Sequence, residues 1–169
     1  MELKRVVVTG LGAVTPLGLN VDETWEALLN GVSGAGPITH FDASQFKTQF
    51  ACEVKNFDPT LYLDKKEVRK FDRYAQFAVA AAKEAVGDSA LDLEKVDKNR
   101  VGVIFAAGIG GIRTFEEEVG GYFTNIERGP KFNPFFIPKM IADIAAGHIS
   151  MIYGFHGPNY ATVSACASS

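Results

Sequence analysis

Two kinds of position in this sequence are suited to chemistry: a cysteine in a turn of small residues, and glycines clustered after apolar runs. Cys166 lies in Ala165-Cys166-Ala167-Ser168-Ser169, directly after the strand-like run Tyr160-Ala161-Thr162-Val163-Ser164. If that turn opens a helix, the sulfur sits at its N-terminal end, where unpaired N–H groups favour an anion and so the nucleophilic thiolate. Spacing alone leaves a small buried thiol as the commoner alternative. Cys52, the other of the two cysteines, has no helix start, histidine or metal-ligand partner beside it and is expected to be a buried or half-buried strand residue without a role. Two thiols make no disulfide framework, and a cytosolic pool would keep both reduced. No metal and no cofactor is expected.

The first glycine cluster, Gly10-Leu11-Gly12, follows Val6-Val7-Val8 and hints at a dinucleotide-binding fingerprint. Thr15, with Pro16 behind it, takes the place of the third glycine, and no clear second strand ending in an acidic residue follows. A nucleotide-binding oxidoreductase is therefore the lesser alternative. The second cluster, Gly108-Ile109-Gly110-Gly111, follows the apolar run Val101-Gly102-Val103-Ile104-Phe105-Ala106.

These positions need a scaffold. Residues 4–10 and 100–106 read as buried strands of a parallel or mixed sheet. Asn20 with Glu23 resembles a capping box, and Trp25, Leu28 and Leu29 at helical spacing predict a first helix over residues 21–30, closed by Gly31. Phe71, Tyr74, Ala78, Ala81 and Ala85 predict a second helix over residues 70–86, stopped by Gly87, with a small-residue face for close packing against a sheet. Ile137, Ile141, Ile144, His148 and Ile152 predict a third over residues 138–153, with His148 a satisfied core histidine. Residues 33–37 and 127–134 read as connections. Strand, helix, strand is the α/β signature, and one domain over 1–169 is the simplest account.

Composition sets outer bounds. The sequence is 47% hydrophobic and 22% charged, with mean hydropathy +0.04, which suits a globular core and not a disordered tail. A net charge of −3 offers no general field for nucleic acid. No apolar stretch reaches the span of about 20 residues a membrane helix needs, and no export signal is visible, so a cytoplasmic location is expected. Lys66, Arg69, Lys70 and Arg73 fall at spacings of three and four and would share a helix face, with Lys131 in a later loop. A partner-docking patch and a solvated face moderated by Asp64, Glu67 and Asp72 are equal alternatives.

The run Gly157-Pro158-Asn159-Tyr160-Ala161-Thr162-Val163-Ser164-Ala165-Cys166-Ala167-Ser168 resembles the nucleophile segment of β-ketoacyl-acyl-carrier-protein synthases. Arg5-Val6-Val7-Val8-Thr9-Gly10-Leu11-Gly12, Thr15-Pro16-Leu17-Gly18, Ser33-Gly34, Phe41-Asp42, residues 108–111 and Asn133-Pro134-Phe135-Phe136-Ile137-Pro138 resemble the same family in order, nearest its chain-elongating synthase II branch. The resemblance implies a thiolase-like fold, five-layered α-β-α-β-α when complete and homodimeric, of which this chain is most of the first half and stops at the nucleophile turn. It implies that Cys166 takes an acyl group from acyl carrier protein and passes it to a carbanion made by decarboxylating malonyl-acyl-carrier-protein. It implies that Ile109, Phe136 and Ile137 line the acyl tunnel, Phe136 and Ile137 reaching the partner subunit's tunnel. Core packing is the alternative for all three. It implies that Lys66, Arg69, Lys70 and Lys131 bind the acidic carrier.

The family draws two catalytic histidines and a lysine from its second half, and His40, His148 and His156 do not lie in the matching motifs. The chain alone is expected to be inactive and, with an apolar sheet face uncovered, poorly folded. Two other readings are a non-catalytic partner subunit that keeps the fold, against which Cys166 argues, and a carrier-binding or dimer-interface module of the same fold, which no motif supports.

Overall fold

Asn20 starts the first helix as its side chain suggests: extended in backbone, it accepts the Glu23 N–H at 2.8 Å and opens α1 (Val21–Leu29). Glu23 reaches back to the Leu19 N–H and not to that of Asn20, so the box closes one residue early. Gly31, at φ +63°, takes the left-handed position that ends the segment. Trp25, Leu28 and Leu29, whose spacing predicts the helix, are exposed.

This computed structural model describes residues 3–129 and 131–168; Met1, Glu2, Pro130 and Ser169 lie outside, and with them one residue of the 127–134 connection and the last of the cysteine turn. The chain forms two compact units. One comprises the chain up to Asp58 with Ala80–Ala90; the other comprises Pro59–Val79 and the chain from Leu91 onward.

The first unit holds α1 and an antiparallel pair of two-residue strands, β1 (Gly36–Pro37) and β2 (Phe50–Ala51). Residues 4–10 are not the buried strand expected of them: among the described residues no strand pairs with them, and Val6 is 89% exposed. An extended segment becomes a strand only beside a partner, which Val6-Val7-Val8 here lacks. Cys52 is likewise neither in a strand nor buried; it follows β2 and is exposed.

The second unit begins with the short α2 (Lys65–Val68) and the N-terminal part of α3 (Arg73–Asp88), whose last turns belong to the first unit. Gly87 does not stop α3, and the left-handed residue beyond it is Ala90 at φ +52°. Ala75, Ala78 and Val79 on α3 and Ala145, Ala146 and Ile149 further on are buried, with Leu63, Phe71, Ala107 and Phe155. β3 (Val103–Ile104) runs parallel to β4 (Asn159–Tyr160), in register Val103 with Asn159. Between them lie α4 (Ile112–Thr124), α5 (Phe136–Met140) and α6 (Ile144–Tyr153). The single helix expected over 138–153 is thus two, because Ile141 turns extended at ψ 140°. No helix among the described residues is long and apolar enough to cross a membrane.

Candidate active site

The two parallel strands end side by side, and each hands the chain to one of the turns singled out above. Glycines bring the strands together at their start, since a Cβ on Gly102 would stand 2.7 Å from the Pro158 carbonyl oxygen. Pairing continues past the regular strands, with Phe105 N–H donating to Tyr160 O at 3.4 Å and Ala107 N–H to Thr162 O at 3.3 Å. Gly108 and Ala165 then face each other: a Cβ on Gly108 would lie 3.5 Å from Ala165 O. The carboxyl ends of parallel strands are where α/β folds hold their reacting groups.

Ala165 has φ +50°, a left-handed conformation that costs a non-glycine residue roughly 1–2 kcal/mol. A tight turn follows over Ala165–Ala167, held by Ala167 N–H to Ser164 O at 3.1 Å and by Ser164 N–H to Ser168 Oγ at 2.8 Å. The sharp reversal leaves Cys166 exposed. Cys166 is therefore not the small buried thiol of the alternative reading.

The glycine turn is fixed from the other side by α5. Gly110 is at φ +96°, and a Cβ there would meet Met140 O at 2.4 Å; one on Gly111 would meet Lys139 O at 2.3 Å. Gly111 N–H donates to Met140 O at 2.9 Å. Ile109, 68% exposed, therefore sits on a turn touching both the cysteine turn and the end of the helix that carries Phe136 and Ile137. The Phe136 ring stacks on Phe132 at 5.5 Å and lies 6.3 Å from Phe115, while Ile137 is exposed. Interior packing alone accounts for neither isoleucine.

Lys66, Arg69, Lys70 and Arg73 do not share one helix face. α2 ends at Val68, Arg69 caps it, and α3 starts at Arg73. Asp72, expected among the moderating surface acids, is 7% exposed and turned inward. Its carboxylate accepts the Thr114 hydroxyl at 2.6 Å, the Thr114 N–H at 3.2 Å and the Tyr74 N–H at 3.1 Å. Asp64 caps α2, and the Glu67 and Lys66 N–H groups hold its carboxyl below the usual range. Lys66, Arg69 and Lys70 are exposed, Lys70 Nζ lying 5.6 Å from the centre of the Phe135 ring. Lys131 lines a separate shallow depression with Glu117, Glu118 and Arg128.

A family model described as the N-terminal domain of β-ketoacyl synthase matches residues 3–169. The chain belongs to that family. It is 48% identical over 168 residues to a 3-oxoacyl-[acyl-carrier-protein] synthase 2 of Coxiella burnetii, covering 99% of this chain and 40% of that protein. Among solved structures it is similar to the ishigamide ketosynthase/chain length factor, with TM-score 0.85, 26% identity, and coverage of 95% of this chain and 40% of that one. It is also similar to a type II polyketide ketosynthase in complex with its acyl-carrier protein, with TM-score 0.69, 26% identity, and coverage of 91% and 40%. The fold is that of the thiolase-like ketosynthases, and the chain spans about 40% of the length of the relatives it matches.

In this ketosynthase domain the first glycine turn has another use. A Cβ on Gly10 would stand 2.2 Å from Ala85 O, and one on Gly12 1.9 Å from Ala81 O, so both glycines exist to seat the chain on α3. Leu11 N–H and Ala13 N–H donate to Asp88 and Glu84 carboxylates, each at 2.9 Å. Amides that hold carboxylates cannot cradle a pyrophosphate, which removes the dinucleotide alternative.

The synthase domain's three histidines each have a local neighbour. His40 Nε2 lies 3.9 Å from Glu53, and His156 Nδ1 is 3.4 Å from Asn99 Oδ1. His148 stacks on Phe71 with ring centres 3.6 Å apart. It is not the satisfied core histidine expected: its buried Nε2 has no hydrogen-bond partner among the described residues, and burial pushes its pKa down. Sequence reasoning also missed Asp72 and Tyr74. Burial first, then Asp72 and Asp143, push the Tyr74 phenol up to about 12, so it stays a donor, and it donates to Ile141 O.

Proposed function

We propose that this chain supplies the acyl-accepting half of a β-ketoacyl-acyl-carrier-protein synthase of fatty-acid elongation, a cytoplasmic homodimer when complete. The observation that carries the proposal is Cys166, exposed after a left-handed Ala165 at the ends of two parallel strands. Its thiolate attacks the carbonyl carbon of an acyl thioester on the carrier, and the carbon–sulfur bond to the carrier breaks. The carrier thiolate leaves and takes up the proton that the Cys166 thiol gave up, and the acyl group stays on the Cys166 sulfur. Decarboxylation of malonyl-carrier then releases carbon dioxide and gives an enolate, whose carbon attacks the Cys166 thioester and expels the thiolate. The product is a β-ketoacyl thioester two carbons longer.

Decarboxylation needs donors for a developing enolate, and His40, His148 and His156 are not arranged to provide them. Those groups belong to the portion that full-length relatives carry beyond this match, so this chain alone does not complete condensation. Ile109, Phe136 and Ile137 form the wall along which the acyl chain lies. Lys66, Arg69 and Lys70 meet the acidic carrier as a cluster of exposed cations on two short elements, Lys131 contributing from its own depression. The test is turnover: the complete synthase extends an acyl-carrier substrate with malonyl-carrier, whereas the purified 169-residue chain does not. Extension by the chain alone would overturn the division of labour.

A further inference from the structure

The first turn of α3 holds two separate segments at once. Asp72, buried just before the helix, takes the Thr114 N–H and hydroxyl in the first turn of α4, three residues beyond the glycine turn. Tyr74, whose own N–H donates to the same carboxylate, donates its phenol to the Ile141 carbonyl, one residue beyond α5. The two clamped segments also touch directly, through Gly111 N–H to Met140 O at 2.9 Å. Ile109 lies on one of them and Phe136 and Ile137 on the other.

We infer that Asp72 and Tyr74 are positioning residues for acyl-chain-length selection, fixing at once the segment that carries Ile109 and the segment that carries Phe136 and Ile137. The inference rests on the synthase reading above. The physical ground is that Ile109 and Ile137 are exposed in the chain, and Phe136, half-buried, stacks on Phe132 of the preceding loop. Their placement therefore depends on the backbone beneath them, which is tied to α3 by one buried carboxylate and one phenol. A side chain meeting the far end of an acyl group discriminates chain length only while its backbone stays put.

The test uses the complete synthase with Thr114→Val, Thr114→Ser and Tyr74→Phe. Rates of Cys166 acylation from six-carbon and sixteen-carbon acyl-carriers are compared with the wild type, alongside amide exchange over residues 108–112 and 137–141. Expected is a shift of the long-to-short kcat/KM ratio toward one by roughly threefold or more in Thr114→Val and Tyr74→Phe. The change should fall in KM and not in kcat, with faster exchange in both segments and recovery in Thr114→Ser. Equal losses on both substrates, an unchanged ratio, or a wild type without length preference would overturn the inference. A wild type that is never acylated at Cys166 would overturn the synthase reading, while the exchange data would still report whether the clamp holds both segments.

Discussion

Two glycine turns follow apolar runs in this chain, and what stands beside them differs. At Gly10-Leu11-Gly12 the amides are already paired with Asp88 and Glu84 and the missing side chains make room for α3 carbonyls. At 108–111 the glycines make room for α5 on one side, while the other side faces the cysteine turn at ordinary van der Waals distance. The first turn is closed by its own neighbours; the second would admit a Cβ at Gly108 in ordinary contact with the Ala165 carbonyl. A glycine pattern thus names a close approach without saying what approaches.

The largest effect that would test this contrast comes from Gly12→Ala. A Cβ 1.9 Å from a helix carbonyl forces backbone apart, and destabilisation of about 3 kcal/mol or more is expected in denaturant unfolding of the complete synthase. An unchanged midpoint would dissolve the packing account. Gly108→Ala should do the opposite: stability within about 1 kcal/mol of wild type, because its Cβ lies 3.5 Å from Ala165 O, but Cys166 acylation slower by roughly tenfold, or about 1.4 kcal/mol of barrier. Acylation at the wild-type rate would show that the second turn is as inert as the first.

Charge reversal at Lys66 and Arg69 sharpens the contrast at the level of partners. The carrier-substrate KM should rise by roughly threefold to tenfold with kcat little changed, and the effect should shrink as salt is added. Smaller still is the pH response of His148. Its folded pKa is depressed below the ordinary 6.5, so its neutral form contributes stability above that value, which is lost as pH falls and the unfolded state takes up the proton first. Melting temperature should drop below pH 6.5, and His148→Phe should flatten that part of the curve. An identical slope in the variant would assign the acid response to other groups.

Much of this was legible in the sequence, and the misses share a cause. The α1 cap, the parallel strand pair and the cysteine turn follow from local signals: a side chain at Asn20, apolar runs, a small-residue motif. The helix expected over 138–153 failed at residues 141–143 because Gly111 and Tyr74 take the Met140 and Ile141 carbonyls that a continuous helix would use itself. The basic face expected across residues 66–73 failed because Asp72 turns inward to Thr114, 42 positions away. Both partners are remote in sequence, so no periodicity could reveal them. Val6-Val7-Val8 has strand propensity without a strand beside it, and propensity alone does not make a ladder.

Intact mass after incubation with acyl-acyl-carrier-protein tests the central claim most directly. The complete synthase should gain the mass of one acyl group per chain, and Cys166→Ala, folded as judged by its melting curve, should gain none. Acylation that persists in Cys166→Ala, or a folded wild type that gains no mass, would contradict the account.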